Sequence, residues 1–161
     1  MNSQDNAYLT NSRVFIGLPN YRYVMSLLNA SLQLAKREKK VLLVLYFSLQ
    51  GQEQINNVYG NTIGDDALTV VAERLGDVAH KNHYSLYLGK NKYLVCIMKE
   101  KENLSEAGKF IEKLTLLVSK PIFIDEHTLN LGVSLGVAAY PMHGDKAGVL
   151  LDIAEMKKRT I

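Results

Sequence analysis

The apolar run Val41 to Phe47 (VLLVLYF) leads straight into a polar, glycine-punctuated stretch that closes at Asp66. The run is too short for a comfortable helix and ends at the turn signal Gln50-Gly51, so it predicts a buried strand. Beyond it, Asn56, Asn57, Asn61, Asp65 and Asp66 crowd around Gly60 and Gly64 before a long amphipathic pattern takes over. A strand that opens onto such a cluster gives the chain a nucleotide-sized polar mouth at one end of a sheet.

The other segments can be placed around this one in order. Met1 to Ser12 is polar and aperiodic and reads as a tail or linker, leaving 13–161 as one domain. Gly17-Leu18-Pro19-Asn20 is a turn, and from Asn20 the residues Tyr23, Leu27, Leu28, Ser31, Leu34 and Ala35 keep one helical face until the charged stop at Lys36 to Lys40. Gln52 to Tyr59 predicts a short helix, and Asp65 to His80 a longer one with Leu68, Val71, Ala72, Leu75 and Val78 inward. Tyr84 to Leu88 and Tyr93 to Met98 predict a hairpin whose tip, Gly89-Lys90-Asn91-Lys92, tolerates positive φ. Asn103 to Ser119 is a further amphipathic helix, Pro121 to Ile124 with Thr128 to Tyr140 a second hairpin, and a last helix begins near Asp145. Val44, Leu45, Phe47, Val95, Ile97, Val133, Leu135 and Val137 are the expected core of the central strands. This order of strands and helices excludes a β-sandwich and a helical bundle.

Composition narrows the function classes. With 161 residues, 47% hydrophobic and 22% charged, the chain suits one globular domain with a real core. A net charge of +3 comes from scattered lysines and arginines rather than a dense basic run, so nucleic acid is not an expected partner. The single cysteine, Cys96, sits within the apolar run Tyr93 to Met98 and is expected to pack as a small buried hydrophobe. No signal peptide and no apolar run near the length of a membrane span is found, so a cytoplasmic domain is expected.

Four separated motifs carry a family resemblance. They are Gly17-Leu18-Pro19-Asn20, then Ile55-Asn56 with Gly60 and Gly64-Asp65, then Ser134 to Pro141 (SLGVAAYP), and Leu150-Leu151 with Ala154 in the last helix. In this order and spacing the chain from Arg13 to Ile161 resembles the GGDEF family of diguanylate cyclases. The resemblance implies an α/β (α+β) domain with a central, mostly antiparallel sheet flanked by helices on a ferredoxin-like βααββαβ core, related to nucleotide cyclases and polymerase palms.

The departures from the family pattern are as informative as the matches. Arg13 and Ile16 replace an aspartate and a threonine ahead of the GLPN turn. Ser48 stands where the family places its first metal-binding aspartate, Gln50 where it has a second acidic residue, and Glu53 where it has a phosphate-binding lysine. At the signature hairpin Gly89 keeps the first glycine, while Lys90, Asn91, Lys92 and Tyr93 replace the rest. The inhibitory arginine and aspartate fall on His80 and His83, a pair at a helix end that reads as solvated surface rather than a metal site. The closing lysine and glycine-arginine-asparagine turn, which the family uses to hold triphosphate, have no counterpart here.

A cyclase that joins two GTP molecules relies in this family on two divalent cations held by carboxylates. Magnesium demands hard, preferably charged oxygen ligands, and a hydroxyl, an amide and a cation do not supply them. No metal cofactor is therefore expected, and no catalytic residue is assigned. Asn56 and Asp65 do match the two positions that read the guanine edge, where an amide and an acceptor-only carboxylate favour guanine over adenine. An alternative makes Asn56 a turn residue of the short helix and Asp65 the N-cap of the long one. Lys90 and Lys92 likewise admit two roles, solvated tip residues or charges that stand in for the metal near phosphates.

Three function classes follow. The favoured one is a catalytically inactive regulatory or receptor domain of cyclic di-GMP signalling that binds GTP and controls a neighbouring output domain such as an EAL-type phosphodiesterase. Against it stand a protein interaction or homodimerisation module without nucleotide, and a residual nucleotide-processing enzyme with rearranged ligands such as Glu53 and Asp66.

Overall fold

The computed structural model describes residues 21–77 and 83–161. The expected tail, Arg13, Ile16, the GLPN turn and His80 lie outside the described residues. In chain order the elements are α1 (Tyr21–Glu38), β1 (Val41–Gln50), α2 (Gln52–Tyr59), α3 (Asn61–Asp77), β2 (His83–Gly89) and β3 (Lys92–Lys99). A 3-10 turn at Lys101–Asn103 precedes α4 (Leu104–Val118), followed by β4 (Ile122–Ile124), β5 (His127–Leu129), β6 (Gly132–Tyr140), α5 (Ala147–Met156) and β7 (Arg159–Thr160).

Five strands form one antiparallel sheet in the order β2-β3-β1-β6-β7, with β1 at its centre. The apolar run Val41 to Phe47 thus lies in the strand that pairs on both sides. Because side chains alternate across a strand, β1 feeds two cores at once. Leu43, Leu45, Phe47 and Leu49 join Leu68, Val71 and Leu75 of α3 and Leu114 of α4 on one face. Leu42, Val44 and Tyr46 join Leu28 and Leu32 of α1 and Leu150 and Ala154 of α5 on the other.

Helix α5 approaches β6 closely, and Gly136 is the reason it can. A Cβ built there would lie 1.8 Å from the Ala154 carbonyl oxygen and 2.9 Å from the Lys158 nitrogen, both backbone atoms. Only glycine lets the helix backbone rest on the strand backbone at that point.

Several expectations are corrected. β1 runs on to Gln50, since Ser48 is backbone-paired to Lys92 on one side and Ser134 on the other despite its polar side chain. α3 begins at Asn61, directly after the break at Gly60 (φ +95°), so Asp65 lies one turn inside the helix and is not its N-cap. His83 opens a strand rather than ending a helix. The second hairpin also differs, for β4 pairs only with β5 in a separate small sheet, while β6 is a new strand that pairs with β1. The last helix starts two residues after the expected Asp145, at Ala147. Of the eight expected core residues, Leu135 and Val137 are only partly buried, because β6 has the two-residue β7 alone outside it.

Candidate functional site

The polar mouth lies at the carboxyl end of β1. Gly51, the single residue between β1 and α2, takes φ +104°, a left-handed geometry that glycine adopts without strain, and turns the chain sharply into the helix. Its carbonyl accepts from the Ile55 N–H at 3.1 Å, closing the first turn. The resulting open cleft of about 530 Å³ is bordered by Ser48, Gln50, Glu53, Asn56, Lys90 and Asn91, among others.

The hairpin between β2 and β3 reaches the cleft through three successive positive-φ residues, Gly89 (84°), Lys90 (50°) and Asn91 (60°). Its tip is clamped to β1 in both directions. The Leu49 N–H donates to the Asn91 carbonyl at 2.9 Å, and Asn91 Nδ2 donates to the Leu49 carbonyl. That second bond needs an N–H on the side chain, so Asn91 does structural work that a carboxylate cannot do. Nearby, Gln50 Nε2 donates to Ser134 Oγ at 3.1 Å and to the Ser48 carbonyl at 3.3 Å, giving the strand ends a small polar network.

Asn56 packs its carboxamide onto α3 at Gly64. A Cβ at Gly64 would fall 1.6 Å from Asn56 Oδ1, so the glycine makes room for this side chain. Asn56 Oδ1 is buried and has no hydrogen-bond partner. That oxygen therefore makes no turn or capping bond to a backbone N–H. Asp65 follows Gly64 in α3 and is exposed, outside the lining of the cleft itself. Its charge is felt at Tyr87, a residue that the sequence reading passed over. Burial raises the Tyr87 hydroxyl above its ordinary pKa, a backbone hydrogen bond from Asn91 pulls it down, and the Asp65 carboxylate pushes it up again. Tyr87 thus feels both the Asp65 charge and the backbone of the hairpin tip, and its only sequence signal is an aromatic residue two positions before Gly89.

The structure accordingly gathers Ser48, Glu53, Asn56, Lys90 and Asn91 around one cleft. Gly89 and Lys92, together with Lys90, line a second cavity of about 200 Å³ that also includes Tyr46 and Glu155. Tyr93 belongs to neither; it is fully buried and donates its hydroxyl to the Leu68 carbonyl at 2.9 Å, fixing the hairpin to α3. Among the described residues no group of three His, Cys, Asp or Glu side chains is placed to hold a metal ion. The pair of divalent cations that the resemblance implies does not fit the donors at the strand ends. Ser48 is a buried neutral hydroxyl, Asn91 is engaged with Leu49, and Lys92 is a cation.

Comparison with known proteins agrees with this geometry. The bifunctional diguanylate cyclase/cyclic di-GMP phosphodiesterase MucR of Pseudomonas aeruginosa is 31% identical over 127 residues, covering 79% of this chain and 18% of that protein. The signaling protein YkoW of Bacillus subtilis is 29% identical, covering 86% of this chain and 17% of its own length. The chain thus spans less than a fifth of either relative. Among solved structures, a sensory box/GGDEF family protein from Caulobacter crescentus superposes with a TM-score of 0.79 at 26% identity, over 88% of this chain and 90% of that one. The GGDEF domain of TpbB from Pseudomonas aeruginosa gives a TM-score of 0.78 at 25% identity, over 87% and 81% respectively. The family model described as diguanylate cyclase, GGDEF domain, matches residues 15–159. With that match over most of its length and the fold to go with it, the chain belongs to the GGDEF family.

Proposed function

We propose that this is a catalytically inactive GGDEF domain that binds a guanine nucleotide and passes the occupancy to a neighbouring output domain in cyclic di-GMP signalling. The observation that carries the reading is Asn56. A buried acceptor left without a partner costs about 1–3 kcal/mol, so its presence against Gly64 is not explained by stability. Beside it, Asp65 offers an exposed carboxylate that can accept from the N1–H and exocyclic amine of guanine. Catalysis is set aside because Ser48, Asn91 and Lys92 occupy the metal-ligand positions without supplying a carboxylate. The naming of MucR as a combined cyclase and phosphodiesterase supports an EAL-type phosphodiesterase as the output.

One observation favours a second reading. Val58, at 72% exposure next to Tyr59 on α2, is an apolar side chain that a protein partner could cover, as in an interaction module without nucleotide. Two measurements decide between the readings. Incubation with GTP and magnesium or manganese should yield no cyclic di-GMP by chromatography, and dinucleotide above a no-enzyme control would overturn the inactive assignment. Calorimetry should detect GTP binding with ATP clearly weaker, and Asp65→Ala should lower the affinity by about ten- to a hundredfold. An absence of heat at millimolar GTP would leave the interaction module as the function.

A further inference from the structure

The cleft at Asn56 and the cavity lined by Tyr46 are bordered by one common side chain, Lys90. Lys92 lines the cavity side, two residues further along the same hairpin. Neither lysine takes part in an ion pair among the described residues, whose ion pairs all involve Lys40 or Lys99. Glu155 is the one carboxylate that lines this cavity, beside Tyr46. A third cation stands close by, since Lys158 Nζ lies 5.1 Å above the centre of the Tyr46 ring.

Lys90 is also out of place conformationally. It holds φ +50° at an exposed tip, where a side chain with a Cβ is strained by about 1 kcal/mol and glycine is not. The two-residue turn between β2 and β3 requires that backbone geometry, yet a lysine rather than a glycine stands there, and no ion pair among the described residues engages its charge.

We propose that the phosphates of a bound guanine nucleotide run from the Asn56 cleft past Lys90 into the cavity lined by Lys92, and that the two ammonium groups take the place of divalent cations. Lysine suits this role as a compact cation with three donors, a point-charge binder of phosphate. The proposal rests on the nucleotide-binding reading above and names how its phosphates are held. Its consequence is that polyphosphate binding does not depend on magnesium. Glu53, which also borders the cleft, repels the phosphates and favours their lying on the lysine side.

The test is a calorimetric titration of the chain with guanosine, GMP and GTP, each in EDTA and in magnesium. GTP should bind at least tenfold more tightly than guanosine in EDTA, and magnesium should not strengthen it. The double variant Lys90→Gly, Lys92→Met should bind GTP no better than guanosine while keeping the guanosine affinity, and the Lys90→Arg, Lys92→Arg pair should restore the preference. The glycine and methionine are chosen to keep the turn geometry and the partial burial, and a thermal melt confirms folding. A GTP affinity that rises tenfold with magnesium, or a preference for GTP that survives the double variant, overturns the proposal while leaving base recognition intact. Absence of binding by guanosine and GTP alike overturns the underlying nucleotide reading and this one with it.

Discussion

At the scale of single residues the site differs from its family through groups that have been given other work. Asn91 is the clearest case, because its amide N–H completes the clamp on the Leu49 carbonyl. Asn91→Asp would set a carboxylate oxygen against that carbonyl, and we expect a loss of about 1–3 kcal/mol in denaturant unfolding. On the inactive reading proposed above, the variant should yield no cyclic di-GMP from GTP by chromatography, for Ser48 and Lys92 still supply no acidic ligand. The sequence alone revealed that position 91 had lost its acid, but not that its replacement was bonded to β1, since that bond depends on the turn geometry of three positive-φ residues. Cys96 illustrates the opposite outcome, a residue whose burial was legible from its apolar surroundings. Burial pushes its thiol up to about 12, with a hydrogen bond from Tyr84 pulling the other way. Unfolded, the thiol ionises near its ordinary value of about 8.5, so its contribution to stability is complete below that pH and is lost as pH rises toward the folded value. Between about pH 8.5 and 10 the unfolding free energy should therefore fall by up to about 1.4 kcal/mol per pH unit, and Cys96→Ala should flatten that slope.

At the scale of elements the regular periods were read well and the irregular junctions were not. α2 appears over the residues that its pattern predicted, and β1 and β3 follow their apolar runs. The start of α3 was missed because Asn61, Thr62, Ile63 and Gly64 carry poor helical signals, and the helix is held there by contact with α2 rather than by local propensity. The same contact moves Asp65 off the cap position, so Asp65→Ala should leave thermal stability nearly unchanged, within about 0.5 kcal/mol, while weakening nucleotide binding. The division of the second hairpin into β4–β5 and β6 was invisible for a related reason, since which neighbour a strand pairs with is decided by the whole sheet. Between β6 and α5 the element contact is backbone on backbone, and no side chain can move aside for an added methyl. Gly136→Ala should therefore lower the unfolding free energy by about 3 kcal/mol or more, and a variant melting within a degree of the parent would show that α5 is free to shift.

At the scale of the molecule the sheet is a two-faced plate with its polar chemistry confined to one end. The unbroken apolar run at Val41 to Phe47 made β1 legible as a buried strand, and the structure covers it on both faces. Coverage is uneven across the plate. Leu45→Ala in the central strand should cost about 2–5 kcal/mol, whereas Leu135→Ala in the less covered β6 should cost clearly less, by chemical denaturation. What the sequence could not place was the meeting of two cavities at one lysine, because it joins opposite sides of the sheet around a turn. The clamp between the hairpin tip and β1 has one more consequence, which concerns the order in which sequence changes can accumulate. A chain that has adopted asparagine at position 91 anchors its tip with that amide, so a step back to the acid weakens the fold before any metal ligand at 48 or 92 is regained.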